Sequence, residues 1–403
     1  MKAIILLVLF VSCQRAEISQ HHEGLRESKH LSYNDDAPIE TLHAAINDTK
    51  EKVPDLLEFM GHQITKEQYS KVLTYLENCG GTSDLFSKII QDKFQRYVVY
   101  GKKKWGEILL TSYYEPIIKG SHQQSPEFNT PLYRPPENIV EIVLKNFEKE
   151  DYGISHGSRR LIAAQIDHSG HLPKIIPLPS REEIDYDGAL KGKNLEIIYT
   201  DIIDAFFLQI QGSGIVQFKD GKKVRLGYAA QNGRKYEAIG KFLLNKIPKD
   251  EMSMQRIEEE LRQMNKDELR AILTKNPSYV FFREIEGAAQ TTLLTDVTPK
   301  RTLAVDRKFF PLGIIGHLKY PKMTKENGNL VISSDETTEH FVINQDTGGA
   351  IKGPGRADLY WGQGDEAEFF AGHMRHKAEL SYFWPKKSFV KELETKVTCF
   401  YFF

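Results

Sequence analysis

The apolar residues of the chain follow different patterns in successive segments. Met1–Ser12 has one lysine and is otherwise almost entirely apolar (MKAIILLVLFVS). From Thr65 to Asn78 the apolar residues recur at helical spacing, and Ser83–Tyr97 repeats that spacing with Ser83 as a candidate cap. From Trp105 onward, most segments are short runs rich in β-branched and aromatic residues. The pattern predicts two N-terminal helices followed by a mainly β fold.

Further elements are predicted along the rest of the chain. Ile197–Tyr199 and Phe206–Ile210 have the length and composition of strands. Arg234 begins a segment with amphipathic helical spacing, and Glu251–Leu273 adds helices of mixed charge. After Gly287 the chain returns to short strands separated by glycine turns, which is typical of a small closed barrel.

The N-terminus has the features of an export signal. The apolar run of Met1–Ser12 is too short to span a bilayer as a stable anchor, and Val11-Ser12-Cys13 resembles a bacterial lipoprotein cleavage site. Cleavage there would leave Cys13 at the new N-terminus, where lipid would hold the protein on a membrane surface. Residues 13–40 are mostly polar and are predicted to be a tether. The alternative is a signal that is cleaved conventionally or not at all.

Composition and charge restrict the possible functions. The 403 residues are enough for two or three domains. The net charge of −1 gives no basis for expecting nucleic acid as a partner. The 18 tyrosines and 22 phenylalanines suit either a β-rich core or a groove that stacks on sugar rings. The sequence has no GxGxxG, P-loop or GxSxG motif, which argues against nucleotide-binding and α/β-hydrolase classes.

Cysteine is rare in this chain, and no metal site is predicted. Cys13, Cys79 and Cys399 form no CxxC motif and have no spacing to histidine that is typical of zinc sites. Cys13 is assigned to lipidation. Cys79 ends the first predicted helix and is expected to be a small buried apolar residue. Cys399, in an apolar C-terminal segment, is expected to be a free thiol.

Three aspartates accompany a glycine-rich segment near the end of the chain. Asp346 and Asp358 lie within Asn344–Gly364 (NQDTGGAIKGPGRADLYWGQG), and Asp306 lies upstream in LAVDRKFFPLG. Glycine permits backbone turns that other residues resist, and functional residues often lie on such loops. The acids have a second interpretation, because aspartate followed by glycine is also common in ordinary turns.

Several segments resemble the lytic murein transglycosylase A family, whose catalytic domain carries three aspartates. The motif VD…PLG…DTGGAIKG…ADLY around the three acids is similar to that domain. The other matching segments follow the family's order and are TSYYEP (111–116), PLYRPP (131–136), LPSREEIDYDGAL (178–190), QGSG (211–214), GYAAQNG (227–233), NPSYVFF (276–282) and AGH (371–373). The resemblance extends from Thr65 to Pro385 and is weakest from Glu137 to His171.

The resemblance implies a fold and a location. The fold is a double-psi β-barrel with a second β-rich domain inserted in its sequence and a substrate groove between the two. The predicted class is therefore mainly β with accessory helices. The predicted boundaries are 41–115 and 285–390 for the barrel domain, 116–284 for the insert and 391–403 for a tail. The protein is expected to be a monomeric lipoprotein on the periplasmic face of the outer membrane, without a cofactor.

The resemblance also implies cleavage of the β-1,4 bond between N-acetylmuramic acid and N-acetylglucosamine in peptidoglycan. The C6 hydroxyl of the muramic acid attacks in place of water, so the product ends in 1,6-anhydro-N-acetylmuramic acid. One carboxyl group can act first as acid and then as base, provided that a raised pKa keeps it protonated at the start. The resemblance assigns this role to Asp358 and supporting roles to Asp346 and Asp306. Arg356 would lower the pKa of Asp358 if its side chain pointed inward.

Polar and aromatic residues in the matching segments are the predicted substrate contacts. Tyr113 and Tyr114 are adjacent on a predicted strand, so their rings face opposite sides, and both also suit the core or its rim. Gln209 and Gln211 alternate with apolar residues and are predicted to face one side, although the QGSG segment also fits a simple glycine turn. The full predicted set is Tyr113, Tyr114, Gln209, Gln211, Gly212, Ser213, Gly214, Gln231, Asn232, Gly349, Lys352 and Tyr360.

Three other functions stay open on the sequence. A hydrolytic glycosidase would use Asp346 and Asp358 as a pair and release a reducing end. A non-catalytic lipoprotein would bind peptidoglycan without turnover. A calcium-binding barrel would use the three acids and backbone carbonyls as ligands, although their spacing matches no known calcium loop. Product chemistry separates the first two, and metal dependence tests the third.

Overall fold

The computed structural model describes residues 24–101, 105–143, 161–249, 251–395 and 399. The predicted signal peptide, Cys13 and most of the tail's last eight residues lie outside these ranges. The strands are β1 (Leu25–Ser28), β2 (Leu56–Phe59), β3 (His62–Thr65), β4 (Phe94–Val99), β5 (Glu107–Glu115), β6 (Ile117–Lys119), β7 (Thr130–Tyr133), β8 (Ile139–Val143), β9 (Leu161–Asp167), β10 (Lys174–Pro177), β11 (Glu196–Thr200), β12 (Gly214–Gln217), β13 (Lys223–Gln231), β14 (Val280–Ile285), β15 (Thr302–Ala304), β16 (Ile315–Glu326), β17 (Asn329–Asp346), β18 (Arg356–Gln363) and β19 (Arg375–Pro385). The helices are α1 (Ile39–Lys50), α2 (Lys66–Cys79), α3 (Ser83–Lys93), α4 (Arg181–Asp185), α5 (Ile202–Gln211), α6 (Met254–Arg262), α7 (Lys266–Leu273), α8 (Asp365–His373) and α9 (Lys387–Thr395).

Within the described residues, six strands close into a barrel. In the order of their hydrogen-bonded neighbours they are β5, β19, β16, β17, β15 and β18, and β18 pairs again with β5. The pairs β15–β17 and β18–β5 are parallel, and the remaining pairs of the ring are antiparallel. Because the ring is closed, each of its strands is hydrogen-bonded to a neighbouring strand along both edges. The predicted class, mainly β with accessory helices and an inserted second part, is confirmed.

The N-terminal helices pack on the barrel through one apolar face. In α2 that face includes Tyr69, Val72, Leu73 and Leu76, all fully buried in the core that the barrel strands share. Thr65 begins α2 with a capping box, because its side chain accepts from the N–H of Gln68 while the Gln68 side chain accepts from the Thr65 N–H. The helix predicted from Thr65 to Asn78 is confirmed.

The second predicted helix is shorter than expected. α3 begins after the cap Thr82, whose side chain accepts from the N–H of Leu85, and ends at Lys93. Phe94 begins β4, which pairs with β1 on one side and β19 on the other. The prediction of helix as far as Tyr97 is wrong, because this apolar run is covered by strands on both edges and is buried as part of the sheet.

The chain between β5 and β15 forms a second β-rich part, which we call the insert. β6, β12, β13 and β14 make one sheet, and β8, β9 and β10 make a smaller one. The insert contacts the barrel where α6 lies against α8, and there the side-chain N–H of Gln255 donates to the backbone oxygen of Glu368 at 2.7 Å. The sheets therefore separate close to Pro116, while the exact domain boundaries stay a prediction.

The predicted strand Phe206–Ile210 is wrong, because this segment is part of α5. Asp201 caps the helix by accepting from the N–H groups of Ile203 and Asp204, and Gly212 ends it with a positive φ of 85°. The helix is packed between the main insert sheet on one side and α6 and α7 on the other. A short run that is apolar all round has no periodicity that separates helix from strand.

The helix predicted from Arg234 is also absent among the described residues of that segment. The chain is irregular there up to a short 3-10 helix at Ile239–Phe242. The guanidinium of Arg234 donates twice to the backbone oxygen of Leu178, at 3.1 and 2.8 Å. The N–H of Glu237 donates to the side chain of Asn276 at 3.1 Å. These tertiary hydrogen bonds hold the segment extended against its local helical preference.

The predicted tether is wrong from Gly24 onward. β1 pairs with β4, and Tyr33 and Ala37 are buried. Asp35 forms a fully buried ion pair with Arg301, whose Nη1 donates to both carboxylate oxygens at 2.7 and 2.9 Å. Two backbone oxygens of the same segment accept from Nη2 of that guanidinium at 3.0 and 2.9 Å. A buried charge pair is tolerated when its hydrogen bonds are satisfied in this way.

Cys79 and Cys399 form a disulfide bond, with their Cα atoms 5.5 Å apart. Cys79 is buried as predicted, but neither cysteine is a free thiol. The pairing follows from the packing of α9 on α2, where the rings of Phe389 and Tyr75 lie 5.1 Å apart, because this packing returns the C-terminus to the end of α2. The two cysteines are 320 residues apart, so no local pattern indicates the bond.

None of the helices in the described ranges combines the length and the low polarity needed to cross a bilayer.

Removing the disulfide is expected to lower the stability of the barrel domain. A bridge that closes a long loop restricts the unfolded chain, and loss of a native disulfide typically costs about 2–5 kcal/mol. Thermal melting of the wild type should therefore shift to lower temperature in reductant, whereas the double variant Cys79→Ser, Cys399→Ser should melt at that lower temperature in both conditions. Equal melting temperatures for oxidised and reduced wild type would contradict a stabilising bond.

Candidate active site

Strand pairing places two of the three predicted acids in one row across the barrel. Ala304 on β15 pairs with Asp346 on β17 and, on its other side, with Asp358 on β18. Asp358 in turn pairs with Thr111 on β5. Neighbouring strands lie about 4.8 Å apart, so the backbones of the two acids are separated by roughly 10 Å. The small side chain of Ala304 lies between them and is buried.

Asp358 has the environment that an acid catalyst requires. Its carboxyl group is recessed among the surrounding strands, and this burial raises its pKa to about 6. The hydroxyl of Thr111 donates to Oδ1 at 2.5 Å and lowers the pKa, as does the charge of Arg356, while the charge of Asp346 raises it. The predicted effect of Arg356 is therefore present but weaker than that of burial. Part of the Asp358 side chain remains accessible to solvent.

Asp346 is held as a fully hydrogen-bonded carboxylate. Its Oδ2 accepts from the hydroxyl of Tyr113 at 2.9 Å. Its Oδ1 accepts from the N–H and the hydroxyl of Thr292 at 3.0 and 2.8 Å, and from the N–H of Thr347 at 2.8 Å. These four hydrogen bonds hold the carboxyl group of Asp346 in place beside Asp358.

Asp306 holds the glycine-rich loop. Its Oδ1 accepts from the N–H of Lys308 at 3.1 Å, and its Oδ2 accepts from the N–H of Gly353 at 2.8 Å. Gly353 has a positive φ of 82°, which favours glycine over other residues. Asp306 anchors the loop between β17 and β18. Because it is buried, its side chain is not exposed at the site.

The adjacent tyrosines face opposite sides of β5, as the strand pattern predicts. Tyr113 lies on the side of the acids, where its ring centroid is 5.2 Å from that of Tyr360. Burial, followed by the charge of Asp346, raises the pKa of Tyr113 well above its usual value, so it remains a hydrogen-bond donor. Tyr114 is buried on the other side, and its backbone N–H donates to the side chain of Gln211 at 3.2 Å. Tyr360 is buried as well.

The predicted contacts in the insert have mixed positions. Gln209 is buried and its oxygen accepts from Arg181 at 2.8 Å, so the predicted shared face with Gln211 is wrong, because a helix does not alternate. Asn232 is buried, and its amide bonds four backbone groups. Gly212 and Gly214 flank the end of α5, and Ser213 between them is partly exposed. The exposed members of the predicted set are Gln231, Gly349 and Lys352.

Three residues at the site were not among the predicted contacts. Thr111 belongs to the matching segment TSYYEP and lies on the same face as Tyr113, so strand alternation contained the signal. Thr292 lies in an irregular loop and gives no such signal. Tyr236 comes from the insert, and its pKa is raised by burial and influenced by the charges of Arg356 and Asp358. Tyr236 is therefore a residue of the insert that lies near Arg356 and Asp358.

No group of three or more histidine, cysteine, aspartate or glutamate side chains in the described ranges is arranged to hold a metal ion. The oxygens of Asp346 and Asp306 already accept hydrogen bonds from the protein, as described above.

Two family models match the chain. The MltA specific insert domain matches residues 109–283, and the 3D domain matches residues 301–384. The first model begins within β5, and the second covers all three aspartates, of which Asp346 lies on β17 and Asp358 on β18.

Curated relatives match along most of their length. Membrane-bound lytic murein transglycosylase A of Escherichia coli (strain K12) is 29% identical over 316 residues, which are 76% of this chain and 73% of that protein. The homolog from Buchnera aphidicola subsp. Schizaphis graminum is 30% identical over 328 residues, or 79% of this chain and 76% of that protein.

Solved structures with the same architecture agree with these matches. A membrane-bound lytic murein transglycosylase from Agrobacterium tumefaciens has a TM-score of 0.73 at 25% identity, covering 92% of this chain and 99% of that one. The structure of E. coli MltA with bound chitohexaose has a TM-score of 0.67 at 24% identity, covering 91% and 96%. At that identity the second likeness shows the fold alone.

Replacing Asp358 by asparagine is expected to stabilise the protein at neutral pH. The folded state raises the pKa of this aspartate from 3.8 to about 6, so it holds a proton that the unfolded chain releases, and stability falls as pH rises through this window. At pH 7.5 Asp358→Asn should gain about 1–3 kcal/mol, since one pKa unit corresponds to about 1.4 kcal/mol. The gain should shrink towards pH 4.

The measurement is thermal melting of wild type and Asp358→Asn between pH 4 and 7.5. Asp335→Asn, an exposed position on β17, provides the matched control and should melt like the wild type at each pH. A variant that is less stable than wild type at pH 7.5 would contradict the raised pKa.

Proposed function

The chain belongs to the membrane-bound lytic murein transglycosylase A family, and we propose that it cleaves peptidoglycan without water, leaving 1,6-anhydro-N-acetylmuramic acid ends. The bond broken is the β-1,4 bond between N-acetylmuramic acid and N-acetylglucosamine. The relatives are named as lytic transglycosylases that act on murein, so the chain is an enzyme of that class. The observation that carries the finer proposal is the recessed Asp358, whose pKa burial raises to about 6.

In the first step, Asp358 is protonated and gives its proton to the glycosidic oxygen. The C1–O bond breaks, its electron pair stays on the oxygen of the departing N-acetylglucosamine, and positive charge develops at C1 of the muramic acid. In the second step the C6 hydroxyl attacks C1 and forms the 1,6-anhydro bond. Its proton goes to the carboxylate of Asp358, which restores the starting state. One carboxyl group is sufficient because the nucleophile, the C6 hydroxyl, belongs to the substrate.

Asp346 supports this cycle without exchanging a proton. Four hydrogen-bond donors hold its carboxyl group in place, and its charge raises the pKa of Asp358. The same charge lies on the row where positive charge develops at C1, and fixed charges of this kind stabilise such transition states. Tyr113 binds Asp346 and places its aromatic ring beside the substrate path. Asp306 keeps the glycine loop in position.

A hydrolytic glycosidase is the second candidate, because Asp346 and Asp358 lie in one row. The hydrogen bonds of Asp346 argue against it. A general base or nucleophile needs an oxygen lone pair directed at water or at C1, whereas Oδ1 of Asp346 accepts three hydrogen bonds from the protein and Oδ2 accepts one from Tyr113.

For the location, we propose a lipid anchor on Cys13 at the periplasmic face of the outer membrane. Cys13 lies outside the described residues, so the proposal rests on the sequence of Met1–Cys13. The disulfide between Cys79 and Cys399 supports it, since such bonds persist in oxidising compartments such as the bacterial periplasm. The relatives are named membrane-bound.

The product of digestion tests the proposed reaction. Purified peptidoglycan is incubated with wild type, Asp358→Asn and the control Asp335→Asn, and the fragments are weighed by mass spectrometry. Wild type and control should release anhydro-ended fragments, which are lighter than hydrolysed ones by one water. Asp358→Asn should lose at least about 10²-fold in rate, because removal of a general acid typically costs about 10²–10⁴-fold. Reducing ends would indicate hydrolysis, and binding without products would indicate a non-catalytic lipoprotein.

The proposed role of Asp358 also fixes a pH dependence. The free enzyme must hold the proton on Asp358, so kcat/KM should fall as pH rises through about 6 and then decline about tenfold per pH unit. The measurement is the initial rate on peptidoglycan from pH 4.5 to 8. A rate that is constant or increases between pH 6 and 8 would contradict a protonated Asp358 as the acid.

A further inference from the structure

Arg356 lies beside the acid catalyst on the same face of β18. In this strand Arg356 pairs with Leu109 and Asp358 with Thr111, in unbroken register. Side chains two positions apart in a strand point to the same side, so the guanidinium and the carboxyl group leave the backbone roughly 6.6 Å from each other. Arg356 is therefore part of the site and not of the opposite face that packs in the core.

The guanidinium of Arg356 is unpartnered. It forms no hydrogen bond or ion pair with any described residue, and its Nε is buried without an acceptor. The other buried arginines differ in this respect. Arg301 has Asp35 and three backbone oxygens as partners, and Arg181 has Asp185, Gln209 and two backbone oxygens. A buried polar atom without a partner is rare in folded proteins and calls for an explanation.

Arg356 lies beside the residue at which the proposed reaction takes place. Its charge influences Asp358 on its own strand and Tyr236 from the insert. A ligand that passes between the insert and β18 to reach Asp358 would therefore meet the guanidinium as well. An arginine that is planar, always charged and free of protein acceptors is suited to bind a carbonyl or carboxylate of that ligand.

The chemistry of peptidoglycan identifies that group. Its two sugars share hydroxyl and N-acetyl groups, but muramic acid alone carries a lactyl ether at C3, whose carboxyl is free or joined to the stem peptide. The glycosidic oxygen that Asp358 protonates is bonded to C1 of the muramic acid ring. The lactyl group is bonded to C3 of the same ring, and only C2 separates these two carbons. Two side chains on one strand face, roughly 6.6 Å apart, can reach both together.

Resting on the proposed function, we propose that Arg356 binds the lactyl carbonyl of the N-acetylmuramic acid that Asp358 cleaves. Arg356 thereby makes the site select muramic acid over N-acetylglucosamine at this position. Arg356 binds the lactyl carbonyl oxygen, which is present whether the lactyl carboxyl is free or amide-linked to the stem peptide.

The test compares two ligands that differ in the lactyl group. Binding is measured calorimetrically in an Asp358→Asn background, which prevents turnover, with peptidoglycan glycan strands and with chitohexaose, which contains N-acetylglucosamine alone. Adding Arg356→Ala should weaken binding of the glycan strands about 10- to 100-fold, the range for a charged hydrogen bond. Chitohexaose binding should change less than about twofold. Arg356→Lys should restore part of the loss, and Lys71→Ala, which removes an exposed positive charge on α2, should change neither.

Other outcomes would overturn the proposal. An equal loss for both ligands would assign Arg356 to the N-acetyl group or to the shape of the site, and no loss would exclude a contact. Strands whose stem peptides have been removed by an amidase should show the same loss as intact ones. A loss confined to stem-bearing strands would mean that Arg356 binds the peptide. The proposed reaction fails separately, if wild type gives no anhydro products.

A pH profile distinguishes a local effect of Arg356 on Asp358 from misfolding of the variant. With Asp358 intact, Arg356→Ala and Arg356→Gln remove a positive charge that lowers the pKa of Asp358, so the alkaline limb of activity should move to higher pH. Arg356→Lys should leave it nearly in place. Variants that melt like the wild type but show no such shift would contradict the position of Arg356 beside the acid.

Discussion

The pairing of β18 with β15 on one side and β5 on the other is the constraint on which the site depends. It sets Thr111, Asp358, Ala304 and Asp346 in one row and leaves no freedom in their order. Because β18 closes the barrel, it is hydrogen-bonded along both edges, and its neighbours β15 and β5 flank Asp358 on either side. The burial that raises the pKa of this carboxyl group depends on these neighbouring strands. Function in this protein begins with the geometry of the sheet.

Stability must come from elsewhere, since a recessed acid with a raised pKa opposes folding at neutral pH. Two features outside the row contribute. The ion pair of Asp35 and Arg301 binds the N-terminal segment to the barrel. A disulfide joins α2 to the C-terminal segment. Breaking such a buried pair leaves an uncompensated charge and typically costs about 3–5 kcal/mol. Both features lie on parts of the chain that the catalytic row does not use, so the barrel can hold an unfavourable group at one position while it is stabilised at others.

The sequence was informative where the physical signal is local. The capped and amphipathic α2 could be predicted, and so could the opposite orientations of Tyr113 and Tyr114 and the three acids of the matching motif. It was less informative where the deciding interaction is distant. The apolar run around Phe206 has no period, and only its packing on both sides shows a helix. The disulfide joins residues 320 apart, and Tyr236 lies near Asp358 on a segment that hydrogen bonds from Arg234 and Glu237 hold extended.

The pKa of Asp358, the proposed acid catalyst, is influenced by two charges of opposite sign. Asp346 favours the protonated form of Asp358, and Arg356, two residues away on the same strand, favours the ionised form. An enzyme whose single carboxyl group must first donate and then accept the same proton works best when neither form is strongly preferred, so a pKa of about 6 suits both steps. If substrate neutralises Arg356 when the lactyl group is a free carboxylate, that binding removes the charge that favours ionisation. The pKa of Asp358 would then rise in the complex, so a contact that recognises muramic acid would also protonate the catalyst at the moment it is needed.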